Sequence, residues 1–310
     1  MGISRIRRGL TMFIAAIFMA CGSGGLAIAG GAGVAPVAVN TPVITIGYVN
    51  WTESVAVSHL MQVLLQNRFH YRVKLKPVTV TQAFKGVASG KLDAFLDVWL
   101  PRTHGNNWKI YADQVIDLGP WYKGHATLGL AVPNYVDAQS ISDLKGQAAH
   151  FDGTIVGIQA DAGEMRITRD RVIPAYGLQA YTLRPGSTAD LVEDVDEAIH
   201  ERKPIVFVAW KPHWLFSAYP VRYLDDPKNA YDQRDRIHVI VRKGLKDDAP
   251  QAYRLFDAFR LDQKQLGRLE LTIANSRSAW GGVHRWLRSH QNVVAPWVAD
   301  ASVQRSDYLK

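Results

Sequence analysis

Cysteine occurs once in the 310 residues, at Cys21, so no intramolecular disulfide can form. The apolar run at residues 10–20 falls short of the roughly 20 residues that a bilayer-spanning helix needs, and no later segment is longer and as apolar. There is no Gly-x-Ser-x-Gly elbow, His-Glu-x-x-His zinc motif, P-loop or Gly-x-Gly-x-x-Gly fingerprint. Those absences remove the usual signatures of hydrolases, zinc peptidases, P-loop NTPases and dinucleotide-binding enzymes. The chain is expected not to be an enzyme, with no catalytic residue, metal or cofactor. Its formal net charge is +8, yet the basic residues are scattered and lack the interleaved stacking aromatics of a nucleic-acid surface. No nucleic-acid partner is expected.

What is present is core material: 47% of residues are hydrophobic and 21% charged, enough for one large or two medium globular domains. Residues 1–29 read as a signal peptide, with Arg5, Arg7 and Arg8 ahead of the apolar run. Two processing sites compete. Ala27-Ile28-Ala29 fits small-residue cleavage, and Phe18-Met19-Ala20-Cys21 resembles a lipoprotein box that would tether the protein to a membrane. Residues 30–42 read as a spacer.

The stretch from Ile205 to Phe216 organises the rest. Ile205-Val206-Phe207-Val208-Ala209-Trp210 reads as a strand buried on both faces, stopped by Pro212. In open α/β sheets, ligands bind at the carboxyl ends of such strands. Three other strand ends carry the same signal. Val43 to Val49 leads to Trp51, Leu92 to Leu100 contains Trp99, and Ile116 to Gly119 leads to Trp121 or Tyr122. The order strand, helix, strand, helix, strand over residues 43–100 predicts a parallel sheet. Ser187 predicts a capped helix with Leu191, Val195 and Ile199 on its apolar face. Helices are expected at 248–259, 262–273 and 278–289, packing back on the first sheet. The expected architecture is α/β and two-lobed, the second lobe inserted into the first. Lobe one comprises 43–133 and 236–310, and lobe two 134–235.

Aromatic faces drawn from both lobes make a site for a cation that cannot donate hydrogen bonds, which a quaternary ammonium satisfies. Two polar residues lie beside these aromatics: Glu53 suits a hydroxyl and His213 a carboxylate. Backbone N–H groups near Asn50 or Ala162 are further candidates for a carboxylate.

Four segments also carry a family resemblance. Gly47-Tyr48-Val49-Asn50-Trp51-Thr52-Glu53, Asp97-Val98-Trp99-Leu100-Pro101, Trp121-Tyr122-Lys123-Gly124 and Trp210-Lys211-Pro212-His213-Trp214 occur in order within residues 43–290. Together they resemble the substrate-binding proteins of glycine betaine/choline/proline betaine ABC importers. The resemblance implies a type II periplasmic-binding-protein fold that closes on its ligand, with Trp51, Trp99, Tyr122 and Trp210 as the ammonium cage. It implies a monomer in the periplasm, an ABC importer permease as partner, and a role in osmoprotection. In choline-binding members an acid two places after the first cage Trp holds the hydroxyl; Glu53 stands there, longer than Asp. Choline and betaine both remain open, as do a ligand-sensing domain or a transferase on the same architecture.

Overall fold

The structure, a computed structural model, describes residues 42–232 and 234–303. The expected signal peptide, with Cys21, and the spacer up to residue 41 lie outside these residues. Among the described residues, ten strands form two five-stranded sheets. The strands are β1 Val43–Tyr48, β2 Arg72–Pro77, β3 Ala94–Leu100, β4 Val115–Pro120, β5 Thr127–Pro133, β6 Thr154–Val156, β7 Thr182–Arg184, β8 Phe207–Lys211, β9 Val221–Tyr223 and β10 Arg236–Arg242. The first sheet runs β2-β1-β3-β10-β4 and the second β7-β6-β8-β5-β9. The chain thus builds most of one lobe, crosses to build the other, and returns through β10 to finish the first.

The expected parallel order holds for β2-β1-β3, joined by the helices Thr52–Phe69 and Val80–Ala88. Both sheets are nevertheless mixed, because β10 runs antiparallel to β3 and β4, and β5 antiparallel to β8 and β9. One expectation is corrected here. The strand at 127–133 was placed in lobe one, but it pairs with Ala209 and Trp210 of β8 and belongs to the second sheet. The first crossing therefore lies between β4 and β5, not near residue 134. Length explains the difference: six residues link those strands, and the longer segment after β5 only looks like a linker.

β3 is buried at every residue and β8 at all but its last, as continuous β-branched and aromatic runs require when helices cover both faces. Caps fix the covering helices. Ser187 Oγ accepts from the Asp190 N–H at 3.1 Å, starting Thr188–Glu201 as predicted. The helices Pro250–Ala258, Gln263–Ala274 and Ala279–Ser289 form where the sequence places them and pack on the first lobe, with a further helix, Gln291–Ser302, behind them. No helix among the described residues is long and apolar enough to cross a membrane.

Candidate functional site

Strand ends from both sheets meet at one narrow cavity. Trp51 follows β1, Trp99 is the last residue but one of β3 and Trp210 the last but one of β8, and all three line it. All are at most 7% exposed. Each indole N–H is committed to an acceptor: Trp51 to Gln159 Oε1 at 3.0 Å, Trp99 to Asp97 Oδ1 at 2.8 Å, and Trp210 to Glu53 Oε2 at 2.9 Å. The N–H edges of the three rings are thereby tied down. Two of the three bonds cross from one lobe to the other.

Glu53 also lines the cavity, and its Oε2 accepts both the Trp210 N–H and the Thr52 hydroxyl. Burial, then the carboxyls of Asp97 and Glu270, push its pKa well above the ordinary carboxylate range. Asp97 is pushed up to about 7 by burial, against hydrogen bonds from Trp99 and Ser54. Glu270, on the helix Gln263–Ala274, is pushed up to about 8 by burial and by Asp97. Three mutually repelling carboxyls thus gather at the cavity and behind it, biased towards holding protons.

The polar end of the cavity uses residues that the sequence reading did not single out. His104 sits at the far end of a tight loop that follows Pro101. Its N–H donates to the Trp99 carbonyl, and its Nδ1 accepts the Trp99 N–H at 3.0 Å. Asp235 holds the same loop from the second crossing, accepting the N–H groups of Arg102 at 2.7 Å and Thr103 at 3.0 Å. With Nδ1 an acceptor, the proton of the neutral ring is on Nε2. Burial, and Arg166 after it, depress the ring pKa to about 3, so it stays neutral. Nε2 is buried without a protein partner among the described residues, and the ring lines the cavity, stacked on Trp51. Glu164, in the helix Gly163–Ile167 of lobe two, lines the same cavity. Burial raises its pKa well above the usual range, against the backbone N–H groups of Gly129 and Ala209, and Oε1 has no partner. His104, a neutral donor, and Glu164, biased towards holding a proton, therefore both line the cavity.

Gly163 lets this end close. A Cβ there would lie 2.6 Å from Thr103 Cγ2 and 2.9 Å from the Thr103 carbonyl, across the lobes.

Two expected site residues are not brought to the cavity. Tyr122 packs edge-on against Trp121, and burial and the nearby Glu270 and Asp262 push its hydroxyl pKa up to about 12. Trp121 is fully buried, its N–H on the Leu96 carbonyl and its ring stacked on Phe259. His213 stands edge-on to Trp210, with ring centroids 4.5 Å apart, and lines a separate small cavity inside lobe two. A signal for His104 did exist in Trp99-Leu100-Pro101-Arg102-Thr103-His104, where a proline loop can return a histidine to the strand end. For Glu164 and Glu270 the signal was an acid set among apolar helix neighbours.

Residues 42–289 match the family described as the substrate binding domain of ABC-type glycine betaine transport systems. The glycine betaine/carnitine transport binding protein GbuC of Listeria monocytogenes is 34% identical over 159 residues, 51% of this chain and 53% of that protein. The match thus spans about half the length of that relative. The lactococcal OpuAC, solved closed with glycine betaine, superposes with a TM-score of 0.76 at 34% identity, over 83% of this chain and 99% of that one. The glycine betaine/L-proline-binding protein ProX of Borrelia burgdorferi gives 0.77 at 30% identity, over 82% and 96%. With the two-lobed type II periplasmic-binding fold and a match over most of its length, the chain belongs to the family of substrate-binding domains of ABC-type glycine betaine transport systems.

Proposed function

We propose that the protein binds a quaternary ammonium compound outside the cytoplasm and delivers it to the permease of an ABC importer, without catalysing a reaction on it. The observation that carries this reading is the cavity wall. Three indole faces drawn from both lobes surround a space lined by no lysine or arginine. A trimethylammonium group has no N–H to satisfy, and each desolvated π face contributes on the order of 0.5–2 kcal/mol to holding it. A primary ammonium would leave its N–H groups unpaired there.

The polar end favours a carboxylate over a hydroxyl, hence glycine betaine or a related betaine over choline. A carboxylate accepts from both His104 Nε2–H and a protonated Glu164, whereas a hydroxyl needs only one of them. Glu53, the acid a choline hydroxyl would use, commits its Oε2 to Trp210 and Thr52. Tyr122 and His213 support the wall from behind in this reading. The lobes are taken as residues 42–120 with 236–303, and 127–223, closing about the two segments between. Export through residues 1–29, with tethering at Cys21 as the open alternative, completes the proposal.

Calorimetric titration with glycine betaine, choline and proline tests it. Glycine betaine is expected to bind most tightly, choline more weakly and proline least, with the ligand recovered unchanged. Binding of none of the three, or of proline as tightly as glycine betaine, would sink the reading.

A further inference from the structure

The two cross-lobe indole bonds differ in place. Trp210 meets Glu53 at a buried site, whereas Trp51 meets Gln159 at the mouth. Outside the cage lies a second cavity, lined among others by the exposed residues Asn50, Gln82 and Asp161. It shares only Trp51 and Ala162 with the inner cavity, so the Trp51 indole is the main partition between the two. Gln159 lines the outer cavity alone. Its backbone carbonyl accepts the Ala162 N–H at 2.9 Å, so a turn just after β6 fixes where its side chain starts. On the inner side, the indole rests against the His104 ring, with centroids 6.0 Å apart and planes at 24°.

We propose that Gln159 is a positioning residue that gates the cavity. Its amide oxygen anchors the Trp51 ring across the mouth and so sets how long a bound ligand stays. Which ligand that is rests on the function proposed above; the gate itself does not. Gln159 does not reach the inner cavity, so ligand entering an open cleft meets the same Trp99, Trp210 and His104 with or without it. The association rate should therefore be indifferent to Gln159. Dissociation requires Trp51 to swing away, and the amide bond resists that motion. Loss of one neutral hydrogen bond corresponds to roughly three- to tenfold in a rate governed by it, and effects of interface changes fall mostly on dissociation.

The test compares wild type, Gln159→Leu, Gln159→Met and Gln159→Glu in the full chain. Stopped-flow with glycine betaine should show dissociation about three- to tenfold faster in the Leu and Met variants, with association unchanged. Gln159→Glu, which keeps an oxygen at the same reach, should stay within about twofold of wild type. Independently of any ligand, hydrogen exchange at the Trp51 indole N–H, read by 15N NMR, should quicken in the Leu and Met variants and not in the Glu variant. Unchanged indole exchange in both Leu and Met overturns the gate. So does equal loss in association and dissociation, or failure of Glu to rescue. If wild type binds no quaternary ammonium, the functional reading falls by itself, and the indole exchange still decides the gate.

Discussion

Two histidines stand beside cage tryptophans in nearly the same circumstances. Each ring accepts a backbone N–H at Nδ1 at 3.0 Å, His104 from Trp99 and His213 from Leu215. Burial depresses each to about 3, and each keeps an Nε2 without a protein partner among the described residues. Yet His104 faces the central cavity, while His213 faces a small apolar one lined by Leu191, Phe207 and Phe216. The spacing from the tryptophan decides this. In Trp210-Lys211-Pro212-His213 the histidine comes three residues later, and its Nδ1 accepts the N–H that opens the helix Leu215–Ala218, which turns the ring back into lobe two. In Trp99 to His104 two more residues carry the chain around Pro101, and the ring returns beneath the Trp99 N–H. Adjacency in sequence to an aromatic therefore does not make a polar side chain its partner at a site.

The harshest way to break the comparison is to remove a wall on which one histidine leans. Trp210→Ala takes away the lobe-two π face and the link to Glu53, and affinity for glycine betaine should fall about tenfold to a hundredfold by calorimetry. Next come the histidines themselves. His104→Ala should weaken glycine betaine about tenfold or more, since a hydrogen bond to a charged group is lost, and should weaken choline less. His213→Ala should leave affinity within about threefold and lower the melting temperature instead, through the packing lost against Trp210.

A pH series sharpens the comparison further. Unfolded carboxyls titrate near about 4, whereas Asp97 and Glu270 hold protons to about 7 and about 8. The folded state binds the extra protons between those limits, so this contribution to stability is lost as pH rises through them. The histidines act oppositely. An unfolded histidine titrates near about 6.5, these two stay neutral to about 3, and so they cost stability as pH falls below that higher value. Between about pH 6.5 and 8.5 the histidine effect fades out and the carboxyl effect dominates. The melting temperature should drop by about a few degrees across that window, and Asp97→Asn should flatten the slope. The smallest effect expected is that of Glu53→Gln. It keeps an oxygen for the Trp210 N–H, and glycine betaine affinity should stay within about threefold by titration. A large selective loss of choline binding would return Glu53 to the role of hydroxyl acceptor.

Much of this molecule was legible because the signals were local. Val43–Tyr48, Ala94–Leu100 and Phe207–Lys211 announce themselves as β-branched, apolar runs, and Ser187 and Asp262 each start a helix through a capping box. The three tryptophans that line the cavity were legible because strand ends mark the cleft in a two-lobed sheet protein. What was missed depends on pairing at a distance. Thr127–Pro133 is equally apolar in either sheet, and only its ladder with β8 assigns it. Glu270 lies on the buried stripe with Leu266 and Leu269, but that it would meet Glu53 and Asp97 is set by how a late helix docks on the first lobe.

The wall without lysine or arginine has one more consequence. In the function proposed above, recognition of a charged ligand leans on π faces, neutral donors and carboxyls biased towards protonation, all out of water, rather than on exposed ions. Dissolved salt screens exposed charges over about 8–10 Å at ordinary ionic strength and buried ones much less. A binder built in this way keeps its grip as the medium around the cell becomes more saline, the very condition under which a compatible solute is worth importing.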